Sequence, residues 1–376
     1  MQATKRRETI LRKPAVQTLL ASLVCIVLGL LVGYIALLII NPKGATSAII
    51  DVLKNFWTYS KPDKQLKHFG STLITAAPLL MCALSVLFAY KVGLFNIGAA
   101  GQYVAGAGAS LYFALALKAP WFVCVLAALL AGALLGAISG FLKAYRNVNE
   151  VISCIMLNWI SLYLVNTLLT GVKNPTGKDT FTIASQNTKA MLPALGLDNL
   201  LNNKNVTIAI PLAIVVCVCI WVLLTKTRLG FELRATGLNK NAAKYCGMRD
   251  RYNIILTMAI AGALAGLGAS MLYLSDFEQW AVTQASVPAM GFNGIAAAFL
   301  GGLNPIGAIF SSYFIQHITR GGTSLTSTGV YCSQTSDLIT SVIIYMCGFV
   351  LFMKQTMTAR LDRRDQRNKQ KGGHAA

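Results

Sequence analysis

The side chains best placed to do chemistry in this sequence are amides, and they sit where amides are costly. Residues Gly93–Ser110 read GLFNIGAAGQYVAGAGAS, inside a run that is otherwise apolar from Ser71 to Leu117. In hydrocarbon, Asn96 and Gln102 must find partners or face a water-filled cavity. Gly93, Gly98 and Gly101 weaken a helix and let backbone approach a ligand or another helix. Non-helical backbone is tolerated at membrane depth only where protein or a watery cavity covers it. The stretch therefore reads either as part of a solute pathway or as a glycine-packed crossing with two buried amides. A second polar set lies in NVNEVISCIMLNWISLYLVN, residues Asn147–Asn166. Glu150 and Asn158 are eight residues apart and share roughly one helical face, with Trp159 beside them. An acid at a helix N-terminus also serves as a cap that complements the dipole. A third set is FNGIAAA at Phe292–Ala298, which echoes FNIGAAG at Phe95–Gly101 and brings in Asn293. Paired Gly-interrupted helices suggest an internal repeat with a binding site between its halves.

Composition dictates what must position these groups. The 376 residues are 55% hydrophobic and 12% charged, with a mean hydropathy of +0.59. Repeated runs of about 20 apolar residues then indicate an all-α polytopic membrane protein. The formal charge of +20 would suit a nucleic-acid surface, but the basic residues flank apolar spans, where they set orientation instead. Nucleic acid is therefore not an expected partner; the lipid bilayer is. The cysteines have no framework spacing, and Cys217 and Cys219 lie within an apolar run. With His68, His317 and His374 far apart in sequence, no metal-ligand pattern emerges. No paired carboxylates or nucleophile–base pair stand within the spans, which argues against a membrane enzyme. GVKNPTGKD at 171–179 misses the phosphate-loop pattern: five residues separate Gly171 from Gly177 where four are needed, and Asp179 replaces Ser/Thr.

Read in order, residues 1–15 form a basic tail expected in the cytoplasm, and Val16–Ile40 a retained first span. The transmembrane domain covers 16–353, with outer loops at 41–70 and 171–205, a helix around Ala48–Tyr59 in the first of these, and a cytoplasmic loop at 226–251. The last span is placed at Leu338–Met353 and a basic cytoplasmic tail at 354–376. Gly132, Gly136 and Gly140 recur at four-residue spacing, which predicts tight helix packing. In the 226–251 loop, Asn239 is positioned to cap a short helix, Lys240–Cys246, that Gly247 ends. About ten spans give the best count, since twelve of the thirteen arginines then fall inside and Arg320 alone falls outside. The region from Gly291 to Ile318 either crosses twice or dips into the membrane and returns.

GLFNIGAAGQ, NEVISCIMLNWI, GLNKNAAKYCGM and GFNGIAAAFLGGLNP together resemble the permease subunits of bacterial ABC importers of the ribose and branched-chain amino acid type, most closely those for nucleosides. The likeness runs in order over Ser71–Met353. One departure is Ala100, where many relatives carry Glu, so any role of that carboxylate cannot be carried over. The resemblance implies a type II ABC importer fold in two pseudo-repeated halves with broken helices, in the bacterial cell membrane with both termini cytoplasmic. It implies a second permease subunit (a different chain rather than a copy), separate ATPase subunits that hold ATP and Mg, and an extracytoplasmic substrate-binding lipoprotein. No cofactor is expected on this chain. Within the coupling segment it draws attention to Glu232, Arg234, Gly237, Asn239, Ala242, Ala243, Tyr245 and Gly247.

For a flat base on a polyhydroxyl sugar, Phe95 and Trp159 offer stacking surfaces, while Asn96, Gln102, Asn158 and Asn293 offer hydrogen bonds. On this reading Asn158→Leu abolishes uptake with the complex still assembled. The rivals are the same importer carrying ribose or another sugar, and an ion-coupled secondary transporter, for which Glu150 is the one intramembrane carboxylate available.

Overall fold

The computed structural model describes residues 14–327, together with 338, 341–342, 344–346 and 348–373. Residues 1–13 and 374–376, and Ile339, Thr340, Ile343 and Cys347 of the expected last span Leu338–Met353, lie outside the described residues. The described chain is helical, with two isolated β-bridges, Lys173–Thr180 and Asp179–Ala281. Its main helices are α1 (Pro14–Ile40), α2 (Ala45–Lys54), α3 (Pro62–Lys91), α4 (Ala99–Leu115), α5 (Trp121–Arg146), α6 (Glu150–Leu169), α7 (Ala209–Lys226), α8 (Arg228–Leu238), α9 (Lys240–Tyr245), α10 (Asp250–Tyr273), α11 (Ala289–Leu300), α12 (Pro305–Ser327) and α13 (Val350–Gly373). Six segments, carried by α1, α3, α5, α6, α7 and α10, are long and apolar enough to cross a bilayer. This is a multi-pass membrane protein. Against the expected ten spans, α4 has only 17 residues and α11 only 12, about 26 and 18 Å of helix at 1.5 Å per residue. Neither would span a 30 Å hydrocarbon layer unaided.

The bundle is built around α3. Of its most apolar window, 94% is buried, against 22% for α1 and 28% for α5. A helix that is apolar all round belongs inside the protein, whereas a one-faced helix belongs at the lipid boundary. α5 shows the second case clearly. Leu126, Leu130, Leu134 and Ile138 are exposed on one face, and Gly132, Gly136 and Gly140 lie buried on the other. That glycine face packs backbone to backbone on α10, in the most extensive helix pairing of the fold. A Cβ at Gly132 would strike the carbonyl oxygen of Gly262, one at Gly262 that of Gly132, and one at Gly136 that of Met258. Lipid gives helices no hydrophobic reason to associate, so close packing of small residues supplies the attraction.

Contacts sort the connections into two ends. At one end, the Val92–Gly93 turn touches Gly237, Arg251 lies 5.1 Å from the Tyr145 ring centroid, Ser22 donates to Leu300 O and Thr358 donates to Gln17. At the other, Asn203 donates to Lys67 O, Asn187 to Ala114 O and Ala119 O, and Asn205 to Ser275 O. There, Arg320 sits 4.0 Å from Glu278. Helix α11 starts beside Ala100 and ends at the first end, and α12 returns, since Gly321 packs on Val52 and His317 on Leu53 O. The chain from α11 to α12 therefore runs to the first end and turns back toward the second. The helix expected around Ala48–Tyr59 appears as α2 followed by a 3-10 turn, Asn55–Thr58. The expected tail from residue 354 belongs to α13, a helix packed on α1.

The α5–α10 seam generates a prediction. Gly262→Leu should cost about 1–3 kcal/mol through overpacking and lower the melting temperature of the purified protein. Leu134→Ala, on the exposed face, should leave it within about 0.5 kcal/mol of wild type.

Candidate functional site: a capped break in a membrane helix

The polar interior is assembled at the break between α3 and α4. Residues Val92–Gly98 are not helical. Gly93 has φ +77°, and α4 begins at Ala99 and then runs unbroken through Gly101, Gly106 and Gly108. The discontinuity is thus confined to the first part of the glycine-rich stretch. A helix start in apolar surroundings leaves its first N–H groups without partners. Gly98 at the N-cap has no side chain to offer. The cap comes from another helix. Asn158 Oδ1 of α6 accepts from Gly101 N at 2.8 Å, and Asn158 Nδ2 donates to Ile97 O at 3.2 Å. A Cβ on Gly101 would meet Asn158 Oδ1 at 2.5 Å and Asn158 Cα at 2.6 Å, so the cap needs glycine there.

Asn96 and Gln102 close on each other beside this cap. Asn96 Nδ2 donates to Gln102 Oε1 at 2.8 Å and to Ser85 Oγ at 2.9 Å, and Gln102 Nε2 donates to Asn96 Oδ1 at 3.2 Å. Asn96 is 0%, Gln102 1% and Asn158 2% exposed. Cys154 Sγ lies 4.0 Å from Asn96 Oδ1, and a Cβ on Gly98 would meet that sulfur at 2.8 Å. In this conformation Asn96 and Gln102 pair with each other, Asn96 also with Ser85, and Asn158 with the backbone of the break.

The other pathway candidates stand apart from the cluster. Phe95 is half-buried. Trp159 is 42% exposed on the outer side of α6, stacked on Tyr163 at 6.2 Å. Asn293 is half-buried on α11. Glu150 pairs with Lys143 at 2.8 Å, while Asn149 is the N-cap of α6, accepting from Val151 N at 2.8 Å. The cap is therefore the residue before the acid. Ala100, the departure from the family pattern, is fully buried against Gly291, whose added Cβ would strike its backbone.

At the basic end, α8 and α9 form a surface platform. Asn239 accepts from Ala242 N at 3.0 Å, α9 runs to Tyr245, and Gly247 has φ +81°. Glu232 pairs with Arg228 at 2.9 Å, and Arg234 Nε donates to Gly230 O. Ala243 is buried, anchoring α9, while Ala242 is exposed. Leu238 and Tyr245 are 89% and 94% exposed, with Phe231 exposed nearby. Asn253 Nδ2 donates to Thr236 Oγ1 at 2.8 Å, pinning the platform to α10. The platform also touches the helix break: a Cβ on Gly237 would strike Val92 O, and one on Gly93 would meet Gly237 O at 2.8 Å.

Sequence reasoning missed Ser85 and Cys154, which looked like ordinary small residues within spans. It also missed Trp280, which is fully buried and donates to Asn166 Oδ1 at 2.9 Å. A lone tryptophan in a polar connection, with Asn166 late in an apolar helix, was the available signal.

A bundle of membrane helices with a capped internal break and a surface platform at one end fits a transport permease. Residues 69–348 match the family described as branched-chain amino acid transport system / permease component, and the chain belongs to that family. It is 34% identical over 373 residues to the nucleoside ABC transporter permease protein NupB of Lactococcus lactis subsp. cremoris, covering 95% of this chain and 98% of that one. It is 32% identical to the guanosine ABC transporter permease protein NupP of Bacillus subtilis, covering 87% of this chain and 92% of that one. It is also 31% identical to NupQ of the same organism, another guanosine ABC transporter permease protein, over 65% of this chain and 78% of that one. No solved structure matches.

The cap alters the expectation for Asn158→Leu. The variant leaves the buried Gly101 N–H without an acceptor, so it should lose about 1–3 kcal/mol of stability, read as a lower melting temperature. Asn158→Asp keeps the acceptor and should retain more of that stability.

Proposed function

We propose that this chain is the membrane-spanning subunit of an ATP-driven nucleoside importer that works by alternating access. The observation that carries the reading is the backbone contact between Gly237 and Val92–Gly93, which joins the surface platform to the capped helix break. Force applied to α8 and α9 would reach Asn96 and its neighbours through a contact with no side chain to yield. The names of the NupB and NupP relatives support the solute class. Two permeases of one kind in Bacillus subtilis, NupP and NupQ, support a pair of different permease chains.

An excess of Lys and Arg at the platform end supports a cytoplasmic side there, in keeping with the cytoplasmic termini expected from the sequence. Exposed Phe231, Leu238 and Tyr245 then offer apolar anchors to cytoplasmic ATPase subunits, which would hold ATP and Mg. The opposite end, with residues 41–70, 171–205 and 275–288, would receive the binding protein. The site residues divide accordingly. Asn96 and Gln102 hold each other and Asn158 holds the backbone of the break, and a shift of the break would free these amide groups for a neutral, polar solute. Trp159 and Tyr163, stacked on the exposed side of α6, give that side an aromatic surface for a base where α6 faces the second permease. Phe95 and Asn293 would border the same route.

Two measurements test this. Uptake of labelled nucleosides should require the chain and survive collapse of ion gradients while ATP stays high. Loss with the gradients would transfer the case to an ion-coupled transporter and bring Glu150 forward, and uptake of ribose alone would keep the importer and replace the solute. The double variant Leu238→Ala/Tyr245→Ala should reach the membrane normally, because both side chains are exposed. Its substrate-stimulated ATP hydrolysis should fall about tenfold.

A further inference from the structure

A groove of about 900 Å³ opens at the basic end between α1, α7, α8 and the α11–α12 turn. Its mouth carries Lys91, Arg234 and Lys354, and among the described residues no acidic side chain lines it. Like charges lining one groove repel one another. Among the described residues, the acids that form ion pairs engage other cations, namely Lys143, Arg228, Lys240 and Arg320. Three cations are thus gathered without a counter-charge, an arrangement that an anion would relieve.

Below the mouth the walls turn apolar. Leu23, Ile26, Trp221, Phe310 and Phe314 line them. Phe314 lies nine residues into α12 from Pro305, about 13 Å along the helix at 1.5 Å per residue. Leu23 is 49% and Phe310 70% exposed, so the groove is open sideways, toward the bilayer. A site with clustered cations at one end and an open apolar wall running into membrane depth matches one amphiphile chemistry, a phosphate joined to acyl chains.

We propose that this groove binds a glycerophospholipid with an anionic headgroup, its phosphate held by Lys91, Arg234 and Lys354 and its chains lying along Phe310, Phe314 and Trp221. Because Arg234 is three residues before Gly237, the bound phosphate would tie the surface platform to the membrane next to its contact with the helix break. The assignment rests on the groove's charge and shape and is independent of which solute is carried.

Trp221 reports directly on the groove. Full-length protein in detergent is titrated with dibrominated phosphatidylglycerol or dibrominated phosphatidylcholine, and the Trp221 signal is taken as wild type minus Trp221→Phe. Phosphatidylglycerol should quench it at about tenfold lower mole fraction than phosphatidylcholine. The double variant Lys91→Gln/Lys354→Gln should lose that preference while keeping the quenching by phosphatidylcholine. In wild type, raising the salt should also shrink the preference by screening, a control that needs no variant to fold. Equal quenching by the two lipids, a preference that survives both the double variant and salt, or no quenching by either because protein covers the groove, would each overturn the proposal.

Discussion

One constraint governs this molecule: inside a bilayer, a helix that stops must have its loose backbone groups taken up by protein. The break at Val92–Gly98 meets that requirement through Asn158, whose two amide atoms satisfy an N–H in the first turn of α4 and a carbonyl within the break. The requirement propagates outward. Asn158 can reach Gly101 only because Gly101 has no side chain, Asn96 is free to pair with Gln102 only because the chain has left the helix, and Ser85 faces them from the last third of α3.

Close backbone approach is the second theme, and it serves two purposes. Along α5 and α10 it binds a peripheral helix to the interior through Gly132, Gly136, Gly262 and Gly266. At Gly93 and Gly237 it makes a joint between a surface platform and a membrane break. The same lack of side chains fixes one pair over a long seam and leaves the other as a single point of contact, where a small rotation is conceivable without repacking a core.

Local signals made much of this readable from sequence. The Asn239 cap and the Gly247 stop lie within eight residues of each other, and both features of α9 are present in the fold. The four-residue glycine spacing on α5 foretold a packed seam without naming α10 as its partner. The break was legible from Gly93 and Asn96, but its cap was not, because Asn158 lies 57 residues beyond Gly101 and pairing at that distance leaves no local trace. Glu150 drew attention as a charge in an apolar context, whereas Lys143 on the preceding helix neutralises it and Asn149 does the capping. Trp159 and Asn158 are sequence neighbours that face different ways, one exposed and one buried, since adjacent residues on a helix are about 100° apart.

The meeting of α4 and α11 has a consequence for what the membrane would let through. Ala100 and Gly291 bring the starts of two helices into backbone contact, and each helix start carries roughly half a positive elementary charge. Neither first turn contains an acid, so the place where the fold is interrupted holds a positive potential. Under the proposed transport role, that potential would disfavour small cations at the break and leave uncharged molecules rich in oxygen acceptors unaffected.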